Sequence, residues 1–408
     1  MRLRSERIVT PAGTIAGEVR IANGRIEGVD ATGQVRRAPA AGEAIDLGAH
    51  WLAPGLIDLH VHGGGGAQCN TTDADEVLAV AAFHAAHGTT ALLATTVAAD
   101  PHDLAASLRA IRRAMELGDS KARSAGAAGV GVGVGVGVGV GATVLGAHLE
   151  GPFLSPKRPG AMDPAAFREP DEPLVLELLD AGGGAVRVMT LAPELPGALE
   201  LVRLLADRRV LASIGHSDAT YAQTHAAVAA GARAATHVFN GMRPFHHREP
   251  GVLGAVLDLP EVSCELICDG IHADPAALRL VHRAKGTPGV RLVSDAMQAA
   301  GMPDGEYLLG SARVVVRDGR ATIAGDGSIA GSTLTMDRAL SLAVEFLDIP
   351  VDEAVALAST NSARLLGLQG CKGKIAPGMD ADLTVLDDRL RACGTLVAGN
   401  WVQGPPVA

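Results

Sequence analysis

Two histidines spaced two residues apart, His60 and His62 in LIDLHVH, are followed along the chain by Glu150, His216, His237, Asp269 and Asp295. Each lies in or just after a short β-branched or Leu-rich run. Imidazole and carboxylate donors without thiolates suit a divalent cation with an open, catalytic coordination position. Side chains alternate along a strand, so His60 and His62 share one face and aim at a common point. Glu150, His216 and His237 supply two neutral nitrogens and one carboxylate, leaving room for water. Zinc is the preferred ion, with iron(II), manganese or cobalt compatible with the same donors. His60 and His62 could hold a second ion, giving one or two per subunit. Asp295, at the end of RLVSDAM, is placed to take a proton from attacking water and return it to a leaving group. Any single histidine reads more simply as a hydrogen-bonded core residue, and Asp295 as an N-cap. Convergence from five separate strand ends favours the metal reading. His84, His87, His102, His225 and His282 lie in or beside Ala-rich helical patterns and read as surface positions.

The elements that must position these groups are short and regular. Eight runs read as strands: LIDLHVH, TTALLATT, TVLGAHLE, VRVMTLAPE, LASIGHS, AATHVFN, SCELICDG and RLVSDAM. Between them lie helical patterns such as DADEVLAVAAFHAAHG, with an Asp cap and a closing Gly. A closed parallel α/β barrel accommodates eight such units better than an open sheet, and barrel active sites collect where strands exit. The first fifty residues, with a turn at Asn23-Gly24, and the tail from residue 371 are strand-like and rich in turns. The expected division is therefore residues 1–52 and 371–408 as two parts of one small β domain, flanking a hydrolase barrel over 53–370.

The 408 residues are 48% hydrophobic, which excludes general disorder, and a net charge of −10 gives no global attraction for nucleic acid. Aromatics are only 2% while glycines number 51, so Val, Leu, Ile and Ala must build the core. Five cysteines without a CxxC motif imply no disulfide framework, and Cys264 and Cys268 read as small buried hydrophobes. The start, MRLRSERIVTPAG, lacks the apolar segment of a secretory signal, so a cytoplasmic protein is expected. Residues 125–147 carry no charge, but their alternating Gly and Val, from Gly129 to Gly141, make a poor membrane span. That run reads as a low-complexity insertion, a flexible loop leading into a strand.

The motifs PGLIDLHVHG at 54–63, HLEGPFLSP at 148–156, GHSDA at 215–219, THVFNGM at 236–242, HHREPG at 246–251, DGIHAD at 269–274 and VSDAM at 293–297 occur in an order that resembles the N-acetylglucosamine-6-phosphate deacetylases, sugar-phosphate members of the amidohydrolase superfamily. GMPDGEYLLG, AGSTLTMDRAL and IAPGMDADLTVLD extend the likeness. It implies an amidohydrolase-type (β/α)8 TIM-like barrel, with a small β-sandwich domain formed by both termini. It also implies metal-dependent release of acetate from N-acetyl-D-glucosamine 6-phosphate, in amino-sugar catabolism or recycling, by a homodimer. By the same resemblance Glu150, His216 and His237 bind the principal metal, His60 and His62 a second, and Asp295 is the acid/base. Asn240, the Gly241 backbone, Arg248 and His272 would hold phosphate and sugar hydroxyls, Arg248 through its planar fork. A surface ion pair with Glu249 is the plainer reading of Arg248. The chain departs from the family at Met162, where the resemblance leads us to expect a carbonyl-polarising histidine. A thioether cannot donate that hydrogen bond, and loss of one such donor costs about 3 kcal/mol of transition-state stabilisation. The rivals are a deacetylase of N-acetylgalactosamine 6-phosphate, another amidohydrolase, and a weakly active or non-catalytic sugar-phosphate binder. Cyclic-amide hydrolases bridge two metals with a modified lysine, which this chain lacks at the corresponding strand end.

Overall fold

The computed structural model describes residues 1–32, 44–127 and 141–406. All eight expected barrel strands form: Leu56–Val61, Thr89–Thr96, Thr143–Glu150, Val186–Leu191, Leu211–Ile214, Ala234–Ala235, Ser263–Leu266 and Val290–Leu292. They pair in chain order and in parallel. Small and branched residues fill the buried layers, among them Leu92, Ala94, Leu149, Ala212, Ile214 and Ala235, so few aromatics are needed. The later strands are shorter than their sequence runs because the chain leaves the ladder to place side chains over the strand ends. The ring closes through residues just past the eighth strand. The Asp295 N–H donates to the His60 carbonyl (2.9 Å) and the His62 N–H to the Ala296 carbonyl (2.8 Å). Closure and placement of Asp295 beside the two histidines are thus one event.

Helices cover the barrel. Ala74–Ala85 starts at Asp73, whose carboxylate accepts from the Asp75 N–H, and Tyr221–Ala230 starts with a capping box between Thr220 and Gln223. Two further helices, Glu172–Gly182 and Gly251–Asp258, escape the sequence reading. The second contains Gly251 and Gly254, which weaken any helical signal. His84 corrects an expectation. It is fully buried rather than on the surface, its Nε2 donates to the Gly63 carbonyl (2.9 Å), and burial pushes its pKa down to about 4. His102 and His225 are exposed as expected, while His87 and His282 are half-buried. The Gly/Val run at 129–141 lies outside the described residues except for Gly141.

Both termini share one sheet, in the order Asn400–Gln403, Ala392–Val397, Leu383–Leu386, Trp51–Pro54, Arg2–Thr10, Gly13–Ala22 and Arg25–Ala31, with Ile45–Asp46 beside Arg2–Thr10. The chain ends meet where Leu52 pairs with Val385, over a core that includes Leu3, Ile8, Val19, Leu383 and Leu396. Asn23 and Gly24 both have positive φ (51° and 72°), as the primed hairpin turn at this dipeptide requires. A three-stranded antiparallel sheet, Gly305–Leu309, Ala312–Arg317 and Arg320–Ile323, follows the barrel and packs against the chain around Leu154 and Met162. No helix among the described residues is long and apolar enough to cross a membrane.

Candidate active site

The six donors converge at the exit of the barrel strands, all buried. Glu150 lies at their centre. Its Oε1 is 3.1 Å from His216 Nε2 and 2.8 Å from His237 Nε2. Its Oε2 is 3.3 Å from His62 Nε2 and 3.6 Å from His60 Nε2. Asp295 Oδ1 closes the other side, 3.1 Å from His62 Nε2 and 3.4 Å from His60 Nε2, and the two Nε2 atoms are 3.1 Å apart. Three of these residues leave their strands with left-handed backbones: His216 (φ 45°), His237 (φ 24°) and Asp295 (φ 52°). Non-glycine residues pay about 1–3 kcal/mol for such conformations, which persist where the surroundings over-determine them. Here the turned backbone redirects each side chain from the barrel wall to its mouth.

The ring hydrogen bonds determine which nitrogen is free. His62 Nδ1 lies 3.2 Å from the Thr95 carbonyl and His216 Nδ1 lies 3.0 Å from the Arg158 carbonyl. A carbonyl only accepts, so both Nδ1 atoms carry hydrogen, and in the neutral ring both Nε2 lone pairs point at carboxylate oxygens. Lone pairs facing lone pairs at these distances require positive charge between them, as protons or as a cation. Burial alone would lower the pKa of His60, His62 and His237, yet the carboxylates of Glu150 and Asp295 raise all three, His60 well above its ordinary value. Burial alone would likewise raise Glu150 and Asp295, but the His60 charge and the other facing imidazoles hold Glu150 well below the carboxylate range and lower Asp295 too. The donor set therefore fits a divalent cation. Two groups of three, His60/His62/Asp295 and His60/Glu150/His237, each place their donor atoms within 4.8 Å of one another.

The surrounding loops brace this arrangement. Arg158, whose carbonyl orients His216, is held through its side chain by Asp218 Oδ1 (2.8 Å from Nε), while Arg243 takes Oδ2 (3.0 Å). Asp218 thereby ties together the chain after the third, fifth and sixth strands. His148, in HLEGPF, lies behind the cluster with both ring nitrogens engaged, by the Leu59 carbonyl (3.1 Å) and the Thr190 hydroxyl (2.8 Å). Burial pushes its pKa down to about 3, so it is a neutral support rather than a ligand. Neither brace stands out in the sequence, since a polar partner within a motif looks the same whether it touches the site or the scaffold.

The remaining candidates lie in different surroundings. His272 donates through Nδ1 to Asp269 Oδ2 (2.7 Å), which gives Asp269 an orienting task, and its Nε2 lies 4.0 Å from Asp295 Oδ2. The Asn240 side-chain amide donates weakly to the His237 carbonyl (3.3 Å). Gly241 has φ 60°, and a Cβ there would stand 2.8 Å from His216 Nδ1, so only glycine fits against the ring. Arg248 is exposed and lines a cavity of about 450 Å³ with Arg243, Tyr221 and Glu249. Glu249 faces Arg243 (3.7 Å), and the Arg248 guanidinium instead meets His247 Nε2 (2.8 Å), so the ion pair with Glu249 does not form. Met162 packs among Val97, Ala98 and Leu154, its sulfur accepting from the Ala98 N–H (3.4 Å). A larger concavity, about 650 Å³, lies at the terminal sheet beside Asp46, His50 and Asp387 and contains none of these groups.

A parallel barrel with a buried His/Glu/Asp cluster at its strand exits is able to bind a divalent cation, and the chain belongs to the amidohydrolase family, a class of hydrolases, whose model matches residues 51–405. Amino-sugar-phosphate deacetylases are among the proteins it is similar to. It is 39% identical over 351 residues to N-acetylglucosamine-6-phosphate deacetylase of Lysinibacillus sphaericus, covering 86% of this chain and 84% of that one. It is 37% identical to N-acetylgalactosamine-6-phosphate deacetylase of Escherichia coli O157:H7, covering 98% of each. A mutant N-acetyl-D-glucosamine-6-phosphate deacetylase from Mycobacterium smegmatis, solved in complex with N-acetyl-D-glucosamine-6-phosphate, superimposes with a TM-score of 0.87 at 38% identity over 99% of both chains.

The shifted groups set the pH behaviour of the metal-free protein. Lowered carboxylates contribute stability that is lost as pH falls through their folded values, and raised imidazoles contribute stability that is lost as pH rises through theirs. A cation substitutes for the imidazole protons and binds best where protons do not compete. Zinc is therefore expected to raise the melting temperature of chelator-treated protein more at about pH 8.5 than at about pH 6. Equal or reversed increments in a thermal melt would contradict the assignment of positive charge to the cluster.

Proposed function

We propose that this protein hydrolyses the acetamide of N-acetyl-D-glucosamine 6-phosphate to glucosamine 6-phosphate and acetate. The observation that carries the reading is Glu150 Oε1 set between His216 and His237 Nε2 at 3.1 and 2.8 Å, with Asp295 3.1 Å from His62, in a chain whose relatives deacetylate amino-sugar phosphates. Glu150, His216 and His237 would hold the principal cation, and His60 and His62 a second. Nitrogen and oxygen donors without thiolates favour zinc. A bound cation supplies Lewis acidity to the acetamide carbonyl and acidifies water.

Asp295 takes a proton from the attacking water and returns it to the sugar nitrogen, which cannot leave as an amide anion. Its buried carboxylate stays ionised because His60, His62 and His237 face it, so it begins as a base. His272, oriented by Asp269, reaches the same space and is suited to a sugar hydroxyl. Asn240, the Gly241 backbone and Arg248 bind the phosphate, Arg248 by a bidentate contact across its cavity. The unpaired state of all five cysteines fits a reducing, cytoplasmic setting. A homodimer is the oligomeric state taken from the family resemblance. Hydrolysis of the galacto epimer is a second reading, favoured by the near end-to-end match to the Escherichia coli O157:H7 enzyme.

Acetate release from both 6-phosphate epimers and from the unphosphorylated sugars separates these readings. The gluco 6-phosphate is expected to be turned over fastest, and hydrolysis of neither phosphate with any tested metal would leave a binding scaffold. Asp295→Asn is expected to lower kcat by about 10²–10⁴-fold with zinc content retained, and a kcat within tenfold of the parent would remove Asp295 from the proton path. Arg248→Ala is expected to raise KM for the phosphorylated sugar by about 10–100-fold without affecting the unphosphorylated one. Equal effects on both would take the phosphate contact away from Arg248.

A further inference from the structure

Glu265 and Arg291 are register partners across the seventh and eighth barrel strands, and each is only 1% exposed. A buried ion pair is weak evidence for stability, since desolvation offsets most of the attraction. This pair has a second set of contacts. Glu265 Oε1 accepts from Arg291 (2.9 Å), whose other terminal nitrogen donates to the Ser263 carbonyl (2.9 Å). Glu265 Oε2 accepts twice, from His60 Nδ1 (3.1 Å) and from the backbone N–H of His237 (3.0 Å). One carboxylate oxygen therefore joins an imidazole of the first strand to the turned backbone after the sixth. His148, Glu265 and His60 lie close enough to suggest an ion of their own, but both His148 nitrogens are already hydrogen-bonded.

We infer that Glu265, held by Arg291, is a positioning residue: it fixes the His60 ring so that Nε2 faces the cation and holds the His237 backbone in the same frame. The inference rests on reading the cluster as a cation site. Only a carboxylate can serve all three donors. In a glutamine, turning the amide oxygen toward His60 and His237 sets its NH2 against the Arg291 guanidinium. The opposite rotamer sets the NH2 against two N–H groups, and His60 can then accept only by moving its proton to Nε2, where it blocks the cation.

The test titrates chelator-treated full-length protein with Co²⁺, following the visible absorption bands of the ion. Glu265→Gln is expected to weaken Co²⁺ binding by about 10–100-fold, to alter the bands, and to lower kcat with KM for the sugar phosphate unchanged, since Glu265 lies behind the ligands. Should that variant fold poorly, the tautomer is read in zinc-loaded wild-type protein by ¹⁵N NMR of labelled histidine, with His60→Asn assigning the signal. The expected result is a protonated Nδ1 and a metal-bearing Nε2 at His60. A protonated Nε2 there, or a Glu265→Gln variant with wild-type affinity and spectrum, overturns the positioning role. Wild-type protein that binds neither Co²⁺ nor Zn²⁺ overturns the cation reading itself, a different failure.

Discussion

One buried carboxylate facing four imidazoles is the constraint around which the barrel mouth is organised. Glu150 offers two oxygens, and each meets two ring nitrogens; at His60, His62 and His216 the other nitrogen faces an acceptor, which leaves a lone pair on the inward one in the neutral ring. Such a cluster is unfavourable without positive charge, so the protein must hold either protons or a cation there. The same requirement explains the left-handed backbones at His216, His237 and Asp295, where local conformational preference yields to convergence. Barrel closure serves the same end, because one of the hydrogen bonds that join the chain after the eighth strand to the first strand is made by the Asp295 backbone itself.

Holding these side chains in strained turns demands bracing, and the bracing is electrostatic as much as apolar. Asp218 spans Arg158 and Arg243, linking three loops around His216. Glu265 and Arg291 occupy the barrel interior where a hydrophobic pair would otherwise pack. Nearby, the Thr236 hydroxyl is 2.7 Å from Thr190 and 2.6 Å from Ser213, a polar layer beneath the cluster that ends on His148. Apart from the buried Arg291 Nε, which has no hydrogen-bond partner among the described residues, these groups satisfy one another, which allows polar residues to replace apolar ones so deep in a barrel. Rigidity at this level suits a site that must present several donors within fractions of an ångström.

Much of this arrangement is legible in the sequence, because polar residues at the ends of apolar runs stand out against their surroundings. His60, His62, Glu150, His216, His237 and Asp295 are visible for that reason, as are the eight strands and the joining of head and tail. The hidden features are those whose signal is pairwise or lacks contrast. Glu265 and Arg291 are single charges within separate strands, and only register reveals that they meet. His84 sits on an Ala-rich helix, where alanine on every side gives no sign of which face is buried. The sheet over residues 305–323 packs on the loop bearing Met162, and an apolar contact between two loops leaves no periodic trace.

The central claim is tested most directly by anomalous scattering at the zinc edge from crystals of the zinc-loaded protein. The account predicts a peak about 2.0–2.2 Å from a Glu150 carboxylate oxygen and from the Nε2 atoms of His216 and His237. A zinc peak elsewhere with these three side chains unchanged, or no peak in protein that turns over substrate, would contradict it.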